Sequence, residues 1–383
     1  MKISKAYKYR FFPTDEQKKN LAQTFGCVRL VFNTMLDART KAWQQEKQHL
    51  SYHDTAKMLT ELKKQEDRVF LNDVSSVCLQ QTLRNLDTAF RNFFAGRAKY
   101  PTFKKAKSNQ SARYANNAFK FVDGKITLAR QTEPLEISWS RPLPDDAKIN
   151  SITISKDTVD RYFISIHFET AWKPLEDVQT SVGIDVGIKT LAVLSNGEKL
   201  ENPKFLQSAE KKIKRLQRRL SKKVKGSNNR RKAKLKLAKA HAKVSDKRAD
   251  YIHQFTTKTI RENQTIIVEG LSVANMLKNH CLAKSIANAS WGEMFRQLEY
   301  KAEWNGRKYL ELDRFFPSSK ICSSCSHLLV KLPLSVREWD CPNCSTHHDR
   351  DLNAAKNIEI AGQFLLSTES DARKVTPKRY DSR

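Results

Sequence analysis

The chain has 383 residues, with 70 Lys and Arg against 41 Asp and Glu, a formal net charge of +29 and a pI near 9.8. Such an excess points to a polyanionic partner, because each Lys or Arg that neutralises a phosphate releases counterions, and the length sets a prior of about two or three domains. No apolar run approaches the roughly 18 residues of a membrane span, the N-terminus lacks the apolar core of a signal peptide, and seven cysteines, an odd number, argue against a secreted disulfide framework.

Residues 1–14 alternate as a strand ending at Pro13, and Thr14 with Gln17 reads as a capping box opening a helix. Residues 15–95 carry helical periodicity, with Leu30, Phe32, Met35 and Leu36 as one stripe. A second helix is expected from near Asp73, its stripe running through Leu79, Leu83, Leu86, Phe90 and Phe94. Residues 97–171 are basic and punctuated by Gly and Pro. Asp123-Gly124 signals a hairpin, and "SITISKDTVDRYFISIHFET" reads as two further strands. The first strand and residues from about 110 to 171 therefore form one β module with the helices inserted. Cys27, Cys78 and Cys281 are expected to be small buried hydrophobes.

Residues 204–248 hold 19 Lys and Arg against Glu210 and Asp246. Apolar residues recur at helical spacing on both sides of "KGSNN" (225–229), which predicts a helical hairpin with one packed face and one cationic face. An ordinary solvated helix pair carries counter-charges, and this one lacks them, so contact with nucleic acid is the better reading. Arg218, Arg219, Lys222, Lys223, Arg230, Arg231 and Lys232 flank the turn and are the expected contacts.

Three acids end or open apolar elements. "SVGIDVGIKTLAV" alternates, placing Val182 and Ile184 on one face and Gly183, Asp185 and Gly187 on the other; the glycines are expected to leave room for a phosphate or metal. "TIIVEGL" ends in Glu269, a carboxylate that is costly there unless it holds a cation. The third acid is Asp349 or Asp351. Helical phase puts Asp351 with Ala354, Ala355, Ile358, Ala361 and Leu365, the packed face, and puts Asp349 with Asn353 and Lys356, looking outward. Asp349 is then the helix cap and Asp351 the third site acid. Three such carboxylates can hold two Mg²⁺ (or Mn²⁺) ions for phosphodiester cleavage. The helix is expected from about 350 to 365, with a flexible tail at 366–383.

Cys322, Cys325, Cys341 and Cys344 form C-x2-C-x15-C-x2-C, two tight turns that aim four thiolates at one point and fit structural Zn²⁺. His347 and His348 stand by as competing ligands, but four cysteines already close the shell.

"GIDVGIKTLAV", "IIVEGL", the four-cysteine knuckle and "HDRDLNAAKNI", in that order, resemble the TnpB family of transposon-encoded, RNA-guided DNA endonucleases. The opening "AYKYRFFPTDEQKKNLAQTFGCVRLVFN" and the linking "YPTFKKAK" resemble that family as well. The resemblance implies an α/β multidomain protein whose RuvC nuclease domain is RNase H-like, at 180–318 and 346–365, including the hairpin at 204–262. It implies a zinc-ribbon, target-nucleic-acid-binding insert at 319–345, a β-barrel wedge domain at 1–14 and 110–175, and a helical recognition domain at 15–109. Asp185, Glu269 and Asp351 become the RuvC acids. Guide RNA from the transposon end and target double-stranded DNA become the partners, with no membrane, a monomer in the RNA complex, and a cytoplasmic, prokaryotic setting. Cleavage would fall beside a short transposon-adjacent motif, for which Gln80 and Asn116 or Asn117 are candidate readers, since such amides can pair with adenine. Two other readings are a DNA-joining transposase and a non-catalytic zinc-ribbon repressor. Six residues separate Cys344 from Asp351, so the knuckle is expected to fix the entry of the helix that carries this acid.

Overall fold

The computed structural model describes residues 1–371. The chain folds as two units, residues 1–172 and a second unit beginning at Lys173. In the first, β1 (Lys2–Phe11) leads to α1 (Asp15–Glu46), which opens on the expected reciprocal pair: Gln17 N–H donates to Thr14 Oγ1 and Thr14 N–H to Gln17 Oε1. A second capping box, Ser51 with Asp54, starts α2 (Tyr52–Leu62), a helix the sequence reading did not separate from its neighbours. The next helix, α3, spans Ser76–Phe94 and begins after Asp73, because Glu66–Asn72 winds as a 3-10 turn that buries Leu71.

Six short strands follow: β2 (Gln110–Ala115), β3 (Phe119–Val122), β4 (Lys125–Leu128), β5 (Ile137–Ser138), β6 (Lys148–Lys156) and β7 (Tyr162–Ala171). Asp123 and Gly124 both take positive φ, as a two-residue hairpin turn demands, and join β3 to β4. The other strands make an antiparallel sheet in the order β2-β6-β7-β1-β5, in which β1 pairs with β7 from Lys2↔Ala171 to Phe11↔Tyr162. Residues from α1 and α3 share one core with Tyr9, Phe11 and Ile164 of this sheet.

The second unit holds a mixed sheet of order β10-β9-β8-β11-β12. Here β8 (Ser181–Val186), β9 (Thr190–Leu194) and β10 (Lys199–Glu201) run as an antiparallel meander, while β11 (Thr265–Glu269) and β12 (Lys308–Leu312) lie parallel to β8. Helices α4 (Phe205–Ser221) and α5 (Asn228–Glu262) form the basic hairpin before β11. Short helices α6 (Val273–Met276) and α7 (Ala283–Ala289) and the longer α8 (Trp291–Asn305) precede β12. After the cysteine knuckle, with β13 (Glu338–Asp340) paired to β14 (His347–Asp349), comes α9 (Arg350–Asp371). Residues 366–371 therefore continue the helix rather than starting a tail, and residues 372–383 lie outside the described residues.

Three layers result. Val182 and Ile184 of β8 and Ile266 and Val268 of β11 face Ile252, Phe255, Met294 and Leu298 of α5 and α8. On the opposite face Ile267 and Leu312 meet Ile358 of α9. Parallel strands whose two faces are both covered read as continuous apolar runs, which is what "TIIVE" does. Among the described residues no helix is long and apolar enough to cross a membrane.

Candidate active site and metal centre

The register of β8 and β11 places two of the three acids. Val268 is opposite Ile184, so Glu269 and Asp185 stand level at the C-terminal ends of adjacent parallel strands. Ile184 and Val268 face α5 and α8, and period-two alternation turns Asp185 and Glu269 to the face covered by α9. Gly183, one step before Asp185 on that same face of β8, is where α9 rests. A Cβ at Gly183 would fall on the Ala355 carbonyl oxygen and within 2.6 Å of the Glu359 amide. One turn before Ala355 along α9 is Asp351.

The room around Gly183 is thus filled by the protein's own helix, not kept open for phosphate or metal as the sequence reading expected. A Cβ at Gly187 would also meet backbone, at 2.8 Å from the Thr190 oxygen. Gly183 thus lets α9 come down onto the sheet, and Gly187 lets the chain turn tightly from β8 into β9.

Asp349 caps α9 as expected, accepting from the amides of Asp351 (3.0 Å) and Leu352 (3.1 Å), while its other oxygen takes Lys199 at 2.9 Å. Asp351 is left as the acid presented to the sheet, in an ion pair with Arg337 at 3.4 Å. The Arg350 guanidinium donates to the carbonyls of Pro333 and Val336 and so ties down the loop that carries Arg337. Sequence reasoning missed both arginines. The interval between the cysteine pairs gave little signal, since Arg337 stands in "REWD" as one cation beside two acids.

Burial pushes the Asp185 carboxyl well above the usual carboxylate range; the charges of Glu269 and Asp351 push it the same way, partly offset by Arg350 and Arg337. Burial also raises the pKa of Glu269. The three carboxylates thus share one electrostatic environment. Their oxygens do not all lie within 4.8 Å of one another; among the described residues the four cysteines are the cluster that meets this distance.

Those cysteines form a candidate metal centre. The Sγ atoms of Cys322 and Cys344 are 3.7 Å apart and those of Cys325 and Cys341 3.6 Å. Zn–S bonds of about 2.3 Å in a tetrahedron give edges of about 3.8 Å, so the donor set fits zinc, and no disulfide joins these sulfurs. Both turns are built alike. Ser326 and Ser345 take positive φ and donate back to the Cys322 and Cys341 carbonyls. The Thr346 hydroxyl and amide draw the exposed Cys344 thiol down to about 6, toward the thiolate a metal needs. His348 is buried under Trp339 with Nε2 at 3.0 Å from Cys322 Sγ, a partner to the thiolate and not a fifth ligand, and His347 is exposed and bonds Asp340.

Asn353 corrects the helical-phase argument. It is 2 % exposed, accepts from Ser323 N–H and donates to the Ile321 carbonyl. Asn357, one turn on, donates to the carbonyls of Ser318 and Ile321. These amides bolt the first knuckle turn to α9, so the polar side of the helix packs against the knuckle instead of facing water. Leu365, by contrast, is exposed, as is Cys281, unlike the buried Cys27 and Cys78.

On the basic hairpin, Arg218, Arg219, Lys222, Lys223, Arg231 and Lys232 are exposed. Lys211, Lys214, Arg215, Arg218, Arg219 and Lys222 line one shallow groove along α4. Arg230 differs: its guanidinium donates to the carbonyls of Leu220 and Lys223 and closes the turn. Gln80 on α3 and Asn116 and Asn117 in the turn after β2 are exposed.

Comparison with known proteins gives a consistent set of matches. Residues 157–280 match a family model described as a probable transposase, residues 291–358 one described as a Cas12f1-like TNB domain, and residues 1–48 a helix-turn-helix domain. A Streptomyces pristinaespiralis protein provisionally named an RNA-guided DNA endonuclease is 48% identical over 100% of this chain and 94% of its own length. A protein of Escherichia coli K12 with the same provisional name, InsQ, is 31% identical over 96% of this chain and 94% of its own. Among solved structures, Cas12f1 in a complex with single-guide RNA and target DNA aligns with a TM-score of 0.59 at 14% identity, over 94% of this chain and 99% of that one, a likeness of fold.

Proposed function

The chain belongs to the TnpB-like family of RNA-guided DNA endonucleases, and on that basis we propose that it is the metal-dependent nuclease of a mobile element, directed by an RNA partner to double-stranded DNA beside a short adjacent motif. The observation that carries the proposal is the level placement of Asp185 and Glu269 on adjacent parallel strands, with Asp351 brought over the same face by α9.

In this reading residues 180–318 and 346–365 are the RuvC-like, RNase H-like nuclease, 319–345 the zinc-ribbon insert, and 15–109 the recognition domain set into a wedge domain of 1–14 and 110–175. Asp185, Glu269 and Asp351 would hold magnesium, which when bound supplies an activated water and neutralises charge on the phosphate. Arg337 is the positioning group: it neutralises Asp351 and, tied through Arg350, keeps cationic charge beside the acids where a DNA phosphate enters. The knuckle enters through Asn353 and Asn357, which fix where α9 begins. The exposed cations of α4 and α5 hold the nucleic-acid backbone, and base pairing supplies sequence choice. Gln80, Asn116 and Asn117 remain candidates to read the adjacent motif.

The test is direct. The protein is purified with its co-expressed RNA and given Mg²⁺ and a DNA library. RNA-dependent cuts that vanish in Asp185→Ala are expected. Strand joining without RNA would replace this reading with a DNA-joining transposase, and binding without breakage with a repressor.

A further inference from the structure

The end of α3 and the loop after it expose aromatic rings among cations. Phe94 is 69% exposed, Phe103 55% and Tyr100 42%. Phe94 stacks on Phe90 at 6.3 Å between centroids and contacts Phe93 at 5.3 Å, and Tyr100 meets Phe93 edge-on at 5.2 Å. Residues 88–122 contain no Asp or Glu, while Arg97, Lys99, Lys105 and Lys107 interleave with the rings. Tyr100 and the backbone that follows Phe103 are also held in place. Tyr100 OH lies 2.8 Å from Thr40 Oγ1 on α1, and Asn33 clamps Lys104 by accepting from its amide and donating to its carbonyl. Gly96, at φ 69°, ends α3 and turns the chain back, with Arg97 and Ala98 amides on the Asn92 carbonyl.

Rigid, exposed rings between cations are what unstacked bases recognise: the ring takes the base face and the cations take the adjoining phosphates. A duplex offers its phosphates but hides its base faces, so rings at these positions add nothing to duplex binding. An uncovered aromatic cluster is a liability for a free protein, which favours an occupant that is always bound over a transient one. We propose that Phe94, Tyr100 and Phe103 form a stacking platform for an unpaired segment of the RNA partner. The inference rests on the RNA-directed reading above and adds a site and a ligand class to it.

The test uses the full chain and its co-expressed RNA. Irradiation of the complex at short ultraviolet wavelength, then digestion, should give uridine adducts on Asn92–Arg97 or Tyr100–Lys104. The double variant Phe94→Leu, Phe103→Leu keeps apolar bulk and removes the π faces. Freed of RNA, it should bind an oligouridine of about 12 nucleotides at least fivefold more weakly than the wild type, with duplex RNA unaffected, because stacking on one ring is worth about 1–3 kcal/mol. Phe94→Trp should bind at least as well as the wild type. Adducts found elsewhere but absent here, equal loss for duplex RNA, or loss confined to single-stranded DNA would overturn the proposal. Wild-type cleavage is scored in parallel, so failure of the nuclease reading shows as no cutting at all, and failure of this inference as normal cutting with indifferent rings.

Discussion

Asp185 is held where its own charge is unwelcome: burial, Glu269 and Asp351 all favour its protonated form. The sign of the linkage follows. A carboxylate whose pKa is raised on folding lends the fold its full stability below the ordinary carboxylate range, and that stability is lost as pH rises through the raised value. Near neutrality the metal-free site is therefore under electrostatic strain, which a bound divalent cation would relieve. Asp185→Asn mimics the protonated form. We expect its metal-free melting temperature at pH 7 to exceed that of the wild type, Mg²⁺ to raise melting of the wild type more than of the variant, and cleavage to fall below detection. Calorimetry and a cleavage assay check this; a lower melting temperature together with normal cutting would remove Asp185 from the site. Arg337 acts on the neighbouring acid. Arg337→Ala should leave zinc content unchanged and lower the cleavage rate by about 10- to 100-fold, as is typical for a group orienting a metal ligand.

At the scale of elements, the site exists because one helix lies close on a sheet. Gly183 under Ala355 and Gly362 against Ile267, where a Cβ would come within 2.6 Å of the isoleucine side chain, set that distance. Gly183→Ala forces backbone from backbone, so overpacking should cost about 1–3 kcal/mol. The loss of cleavage should be larger than that cost implies, because displacing Asp351 by about 1 Å can lower a rate 100-fold. Urea unfolding beside single-turnover cleavage separates the two effects. The knuckle holds the other end of α9 through Asn353 and Asn357. Cys341→Ser should consequently lose zinc and cleavage together; full cleavage by a zinc-free variant would uncouple them.

For the whole molecule, charge is the dominant property, and 19 of the 70 Lys and Arg fall in residues 204–248. Binding of RNA should weaken steeply with salt. Replacing Arg218, Arg219, Lys222 and Lys223 with Gln should flatten the log-log salt dependence by about 0.7–0.9 for each phosphate that is no longer neutralised. Arg230→Gln should instead disturb the hairpin turn and melt α4 early, since its guanidinium closes that turn through two carbonyls. An unchanged salt slope in the quadruple variant would move the nucleic-acid contact off the hairpin.

Periodicity, capping chemistry and ligand spacing are local, and whatever depends on them is legible along the chain: the Thr14–Gln17 cap, the Asp123-Gly124 turn, the paired basic helices, the acids at strand ends and the four thiols. The cap at Asp349 is legible too, as an acid just before the helix, although the helical phase that grouped it with Asn353 misjudged which side of α9 is packed. Other features depend on what arrives from far along the chain. That α9 fills the space above Gly183, that Asn353 is buried against the knuckle, that Arg337 pairs with Asp351 and that Arg230 is tied into its turn are facts of tertiary packing. A buried amide and an exposed one look alike in sequence; the fold alone decides which backbone groups come within hydrogen-bonding reach of it.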